Sequence, residues 1–139
     1  MANAIYPNYK EALLGGDSNI SLANGESTVK VGLIDTANNP YSTSDTFLSD
    51  IDTTSGGIIA SATITNTTIT DGLFDGDDIT FSSVTGDQCE ALLIWIDTGA
   101  EATSRLVAFL DTGVSGLPVS PNGSDIDIEG NVSGIFQLY

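Results

Sequence analysis

Carboxylates are the most abundant chemically active groups in this sequence, with 19 Asp and Glu residues against three Lys and Arg and no His. Without histidine, the chain cannot assemble a Ser-His-Asp or Cys-His nucleophilic set of its own. The single cysteine, Cys89, is followed by Glu90, and a neighbouring negative charge raises the pKa of a thiol instead of activating it. We therefore expect Cys89 to be a small, buried or half-buried filler.

Paired carboxylates hydrolyse glycosides in many enzymes, and an acidic chain offers such pairs. With 19 acids in 139 residues, however, some close pairs arise without any function. The single tryptophan, Trp95, lies inside the most apolar segment and not in a loop where a sugar could stack on it. The sequence therefore predicts no enzyme activity and no cofactor.

Two acidic clusters have the ligand chemistry that calcium prefers, which is carboxylate and carbonyl oxygen. Segment 75–78 reads Asp-Gly-Asp-Asp, and segment 125–129 places acids at alternate positions of a predicted strand. Neither cluster has the spaced donors and closing Glu of an EF-hand loop. We expect both clusters to be solvated acidic surface, with calcium binding as the alternative.

An apolar-Asp-Thr triplet recurs at 34–36, 51–53, 96–98 and 110–112. Asp and Thr side chains often bond to nearby backbone amides and so end a strand or helix, which is the interpretation we favour. The alternative is that the four carboxylates gather at one end of a sandwich and bind a cation.

The net charge of -16 bears on the class of partner. Binding to nucleic acid is unfavourable, because it requires cations that displace counterions from the phosphates. The longest apolar run, Ala91–Ile96, is far shorter than the ~20 residues needed to cross a bilayer, and the N-terminus lacks the features of a signal peptide. We expect neither nucleic acid nor a membrane as partner, and the lone cysteine suits a reducing cytoplasm.

Two short helices are predicted near the N-terminus. Segment 7–14 begins with proline and is followed by Gly15-Gly16, which are start and stop signals for a helix. Segment 44–50 begins with residues that often cap helices. Residues 1–16 are thus expected to form an N-terminal arm with a short helix.

The rest of the chain has the pattern of strands separated by Gly, Asn and Asp turns. The central strand is predicted at 90–97, where both faces are apolar, whereas 27–34 alternates as a half-buried strand should. Segment 58–70 is long enough for one long or two short strands. Roughly seven to nine short strands in one domain, 1–139, predict an all-β sandwich or barrel. The other predicted strands are 78–82, 105–110, 126–128 and 134–138.

Several residue strings, in order along almost the whole chain, resemble a family of small tailed-phage virion proteins. They are MANAIYPNYKEALLGG, VKVGLIDT, FLSDI, DGLFDGDDITFSSVTGDQCEALLIWIDTG, SRLVAFLDT, GLPVSPNGSDIDI and GIFQL. Some members of that family look like the cement, or decoration, proteins of the outer capsid.

The resemblance implies a jelly-roll-like β-sandwich that forms a homodimer, is made in the host cytoplasm and lies on the outer capsid surface of the virion. Its partner would be the major capsid protein, and its role would be to stabilise the shell by bridging capsid subunits. The alternative is a low-copy virion module for host attachment or carbohydrate binding.

Apolar and aromatic residues at the two ends of the chain are the candidates for a protein interface, since Tyr is enriched at interface centres. They equally suit a role in capping one end of their own sandwich. Lys10 and Arg105 are too few for a basic patch, but either could anchor an acidic residue across an interface. The candidate interface residues are Ile5, Tyr6, Tyr9, Leu13, Leu14, Phe136 and Tyr139.

Overall fold

The structure, a computed structural model, describes residues 3–23, 25–51, 56–112, 114–128 and 136–137. The chain is mostly β, with several antiparallel sheets and one helix longer than a single turn, which confirms the all-β class. The helix α1 spans Pro7–Gly15. The strands are β1 Ala4–Ile5, β2 Thr28–Ile34, β3 Ile58–Thr63, β4 Thr68–Thr70, β5 Leu73–Asp75, β6 Ile79–Phe81, β7 Ala91–Asp97, β8 Arg105–Leu110, β9 Ile126–Ile128 and β10 Phe136–Gln137.

The largest sheet has five antiparallel strands in the order β1-β8-β7-β2-β3. Its centre is apolar on both faces: no residue of Ala91–Ile96 is more than 3% exposed, and every residue of β8 is buried. The prediction of a central strand covered on both sides is therefore confirmed. Both faces have to be covered, because β7 and β8 place large apolar side chains on each of them.

The prediction that β2 is half-buried was wrong for its second half, where Val31–Ile34 are all buried. The small residue Gly32 explains the difference. A side chain at this position would meet the indole of Trp95 at 3.0 Å and Ile58 at 3.3 Å, so the two large neighbours cover the glycine. The space beside the glycine, which interrupts the alternation in the sequence, is thus filled by side chains of the adjacent strands β7 and β3.

The described residues also form two smaller sheets, one with the order β10-β5-β4 and one formed by β6 and β9. Segment 58–70 forms two strands, β3 and β4. A two-residue turn joins β4 to β5, with Asp71 and Gly72 at φ 53° and 77°, which is the geometry of a type I′ hairpin. Apolar residues of β6 and β9 are buried in the same core cluster as the five-stranded sheet.

The helix α1 forms as predicted, with proline in its first turn. It ends at Gly16, which adopts a left-handed conformation with φ 70°. The Gly16 N–H donates to the Leu13 carbonyl at 3.4 Å and the Asp17 N–H donates to the Ala12 carbonyl at 3.0 Å, so this end is a Schellman motif. Tyr9 and Ala12 are the buried residues of the helix.

The predicted helix at 44–50 was wrong except for its last turn, a 3-10 helix at Leu48–Asp50. The preceding residue, Phe47, is extended and forms a bridge with Arg105. The Leu106 N–H donates to the Thr46 carbonyl at 3.0 Å, and the Leu48 N–H donates to the Ser104 carbonyl at 2.8 Å. Pairing with β8 therefore overrides the local helix signals.

Candidate docking surface

The N-terminal arm is an edge strand of the five-stranded sheet. Ala4 and Ile5 of β1 pair with Phe109 and Ala108 of β8. The Asn3 side chain fixes the N-terminal end of β1, because its Oδ1 accepts hydrogen bonds from the Asp111 and Thr112 N–H groups at 2.7 and 2.8 Å. The arm is therefore part of the folded sheet.

Tyr6 and Tyr9 are core residues, with 0% and 3% of their surface exposed. The Tyr6 ring packs on Tyr41 at 5.2 Å between centroids, and Tyr41 packs on Phe109 at 5.5 Å. The Tyr9 hydroxyl donates to the Ile20 carbonyl at 2.7 Å. The structure thus places both side chains inside their own chain, as the capping alternative has it.

Burial also changes the acidity of these phenols. Desolvation is the main cause that raises the pKa of Tyr9 to about 12. The pKa of Tyr6 lies higher still, because burial is the main cause of its rise and the negative charge of Asp45 adds to it. Both hydroxyls therefore stay protonated and neutral at physiological pH.

The other candidate interface residues have different environments. Ile5 and Leu13 are partly buried and pack against the core, whereas Leu14, at the end of α1, is 91% exposed. The backbone of Phe136 pairs with Phe74, its side chain is not described, and Tyr139 lies outside the described residues.

The structure adds one candidate that the sequence reading missed. Ile69 is 55% exposed, and in the described part of the chain it is the only large hydrophobic residue besides Leu14 with such exposure. It lies at the middle of β4, whose three residues are all exposed. The available sequence signal was the Asp71-Gly72 pair, which marks a tight hairpin turn two residues after Ile69.

The strand β4 is the outer strand of its sheet, and its register fixes where its backbone groups point. Thr70 and Leu73 flank the two-residue turn, so they form a hydrogen-bonded pair, and the next pair, Ile69 with Phe74, is a non-hydrogen-bonded one. The N–H and C=O of Ile69 therefore point away from β5. They have no partner within the described segments.

The surroundings of β4 are acidic. Asp71 occupies the turn at one end of the strand. Asp77 lies at the other end, where its Oδ2 accepts hydrogen bonds from the Asn66 amide at 2.6 Å and the Thr65 hydroxyl at 3.1 Å. The sequence has no Lys or Arg between residues 31 and 104.

Two of the three cations of the chain are engaged elsewhere. The Lys30 Nζ lies 3.6 Å from the Asp97 carboxylate. Arg105 is 8% exposed, with its guanidinium 5.0 Å from the Phe47 ring and donating to the Ser18 carbonyl at 3.4 Å. Arg105 therefore holds two loops against β8, and its burial leaves Lys10 as the exposed cation of the described chain.

Two acids of the 125–129 cluster accept hydrogen bonds from residues in or just after β6. Asp125 accepts from the Ser83 N–H at 2.8 Å, and Asp127 accepts from the Thr80 hydroxyl at 2.7 Å. Within the described ranges, no group of three His, Cys, Asp or Glu residues could hold a metal ion. Glu129 lies outside those ranges.

The apolar-Asp-Thr triplets act locally where the structure describes them in detail. Asp35 accepts hydrogen bonds from the Ala37 N–H at 2.9 Å and the Asn38 amide at 3.0 Å, and Asp97 accepts from the Gly99 N–H at 3.3 Å. These bonds confirm the interpretation of local capping for both triplets. The triplet at 51–53 lies largely outside the described residues.

Cys89 is fully buried, as expected of a filler, and pairs with Val119 through its backbone. Burial is the main cause that raises its pKa to about 11, and the charges of Glu90, Asp35 and Asp87 add to it. The thiol is therefore protonated and out of reach of a substrate.

No protein-family model matches this chain, and a search of curated proteins finds no match either. Among the described residues, no helix is long and apolar enough to cross a membrane. The similarity to tailed-phage virion proteins therefore stays a prediction from the residue strings.

Proposed function

We propose that this chain is a non-enzymatic structural protein of a phage virion, which binds the outer surface of the capsid. It would stabilise the shell by bridging neighbouring subunits of the major capsid protein, so that expansion under internal pressure must break additional contacts. In this proposal the protein is made in the host cytoplasm, and neither nucleic acid nor a membrane is a partner.

The observation that carries the proposal is which side chains are buried and which are exposed. The thiol of Cys89 and the hydroxyl of Tyr6 belong to fully buried residues, and Arg105 is 8% exposed. The surface of the described residues instead offers carboxylates and two exposed large hydrophobic residues, Leu14 and Ile69. Such a surface supports solubility and contact with another protein better than it supports catalysis.

Repeated attachment explains how a small acidic protein could stabilise a large shell. Each contact can be weak, because many copies bound to one lattice act together and a bridging copy is held at high effective concentration. The net charge of -16 supports solubility and discourages binding to packaged DNA. The repulsion from DNA favours the outer surface over the inner one.

The finer fold in this proposal is a jelly-roll-like β-sandwich that forms a homodimer. Burial on both faces of the central strands β7 and β8 supports a layered arrangement, as does the shared core cluster that includes β6 and β9. Light scattering of the purified protein should give twice the monomer mass. A monomer mass across the micromolar range would remove the homodimer from the proposal.

The experiment that tests the function is quantitative mass spectrometry of purified virions, with the major capsid protein as the internal reference. A copy ratio near one is the expected result. A few copies per particle would instead support the low-copy attachment or carbohydrate-binding module, and complete absence from virions would contradict both.

A further inference from the structure

We propose that the free edge of β4 is a docking site for an extended, basic segment of a partner protein, which adds to the sheet as a strand beside Ile69. The inference rests on the proposed function only for the identity of that partner, the major capsid protein. The site itself follows from the backbone geometry, the exposed side chain and the charges around the hairpin.

The first step of the argument is the backbone. In the hairpin register, Thr68 and Thr70 direct their hydrogen-bonding groups to β5, and Ile69 directs its N–H and C=O outward. An added antiparallel strand can therefore form a complete hydrogen-bonded pair with Ile69. Strand addition of this kind takes its affinity from main-chain bonds and its specificity from alternate side chains.

The second step is the side chain. Ile69 shares a face with Phe74, which is 2% exposed, so the exposed part of Ile69 continues the apolar surface of a core residue. A residue directly opposite Ile69 in an added strand would lie on the same face. An apolar residue at that position would cover the 55% of Ile69 that is exposed in the free chain.

The third step is the negative charge around β4, which favours a basic docking segment. Asp71 follows Ile69 by two residues, and Asp77 lies beside Thr65 and Asn66 at the other end of the strand. Basic residues two positions either side of the central apolar residue would approach these carboxylates. A second copy of this chain offers no such cations, because its own β4 is flanked by the same two acids.

The test uses a synthetic probe, the acetylated and amidated peptide Thr-Lys-Thr-Val-Thr-Lys-Thr, titrated into the isotopically labelled full chain. We expect the backbone amide of Ile69 to shift and its hydrogen exchange to slow on binding. The same peptide with Glu in place of both Lys should bind at least about tenfold more weakly. No change at Ile69 with the basic peptide, or equal binding of the acidic one, would overturn the inference.

Three variants separate the contributions. Ile69→Pro removes the outward N–H without removing a bond to β5, and we expect it to weaken peptide binding by at least about tenfold. Ile69→Thr keeps the N–H and tests the side chain alone, so it should weaken peptide binding less than Ile69→Pro does. Asp71→Asn keeps the left-handed turn and removes one charge, and its loss should vanish at high salt.

The outcomes also separate this inference from the proposed function. Binding of the peptide at Ile69 by a chain that is absent from virions would contradict the function and keep the docking site. Equal attachment of wild type and Ile69→Pro to virion shells would contradict the docking site and keep the function. If Ile69→Pro disrupts the hairpin, the Asp71→Asn variant and the acidic peptide still test whether the docking site exists. Protection of Ile69 that depends on protein concentration without peptide would indicate self-pairing and overturn the proposal.

Discussion

The hairpins β7–β8 and β4–β5 are both antiparallel pairs of consecutive strands, yet they differ in almost every physical property. From Ala91 to Ile96 the first is buried on both faces, whereas all three residues of β4 are exposed. The first therefore carries much of the apolar burial that stabilises the chain. The strand β4 contributes little to the core, although Phe74 of its partner β5 is buried. If the outer edge of β4 is the docking site proposed above, stability and recognition belong to different strands.

The largest effect that separates the two hairpins should come from truncating a buried side chain of β7. Leu93 is 0% exposed, so Leu93→Ala should lower the free energy of unfolding by about 2–5 kcal/mol, through lost burial and the cavity left behind. Urea denaturation measures the loss. The matched control is Ile69→Ala, for which we expect a change within about 0.5 kcal/mol. Similar losses for the two variants would contradict the division of roles.

A second substitution tests how the exposed hairpin is anchored. A side chain at Gly76, just after β5, would overlap the buried Ile64 side chain and crowd the Thr65 carbonyl at 3.2 Å. We expect Gly76→Ala to cost about 1–3 kcal/mol by overpacking. The control is Gly15→Ala in α1, where the new methyl group meets only Asp17 at 3.6 Å and should not destabilise the chain. Unfolding by urea compares the two variants.

Alkaline pH should act through the buried groups. Cys89 and Tyr9 have raised pKa values in the folded chain, about 11 and about 12, against ordinary values of 9.0 and 10.0. The unfolded chain therefore releases these protons first, so their stabilising contribution is complete below pH 9 and is lost as pH rises toward 11 and 12. The melting temperature should fall across this range. Cys89→Ala should reduce the fall in melting temperature between pH 9 and 11. An unchanged slope of melting temperature against pH would contradict a contribution from the Cys89 thiol.

Salt should act through the exposed carboxylates and have the smallest effect. Because the net charge is -16, screening should relieve repulsion within the folded chain, and we expect the melting temperature to rise by a few degrees from low to moderate NaCl. KCl should have the same effect as NaCl. A fall would contradict self-repulsion, and a larger rise with CaCl₂ at matched ionic strength would indicate that the acidic clusters bind calcium.

The sequence predicted the central elements well, since their signals are strong and local. The segment that forms β7 is apolar on both faces, and α1 has Pro7 at its start and Gly16 at its end. Short elements were harder. The two residues of β1 and the Leu-Phe-Asp of β5 are too short to show a period, and they are strands because distant residues pair with them.

The candidate interface residues could not be separated from core residues by sequence, for a related reason. An aromatic residue near a chain end has the same composition signal whether it meets a partner or its own core. Tyr6 packs on Tyr41, which in turn packs on Phe109, and no local pattern reveals these contacts between distant parts of the chain. Ile69 was overlooked because a single isoleucine between threonines is the ordinary content of a strand.

The pairing of β1 with β8 has a consequence for how the protein is made. The Asn3 side chain bonds to residue 112, so β1 finds its neighbour only after more than a hundred further residues have been synthesised. The five-stranded sheet therefore cannot close before β8 has been made, and such distant pairing is slow to form. Throughout that interval the N–H of Tyr6, which ends as a fully buried residue, lacks its partner in β8, the Val107 carbonyl. The surroundings of Tyr6 are thus complete only once β8 has been synthesised.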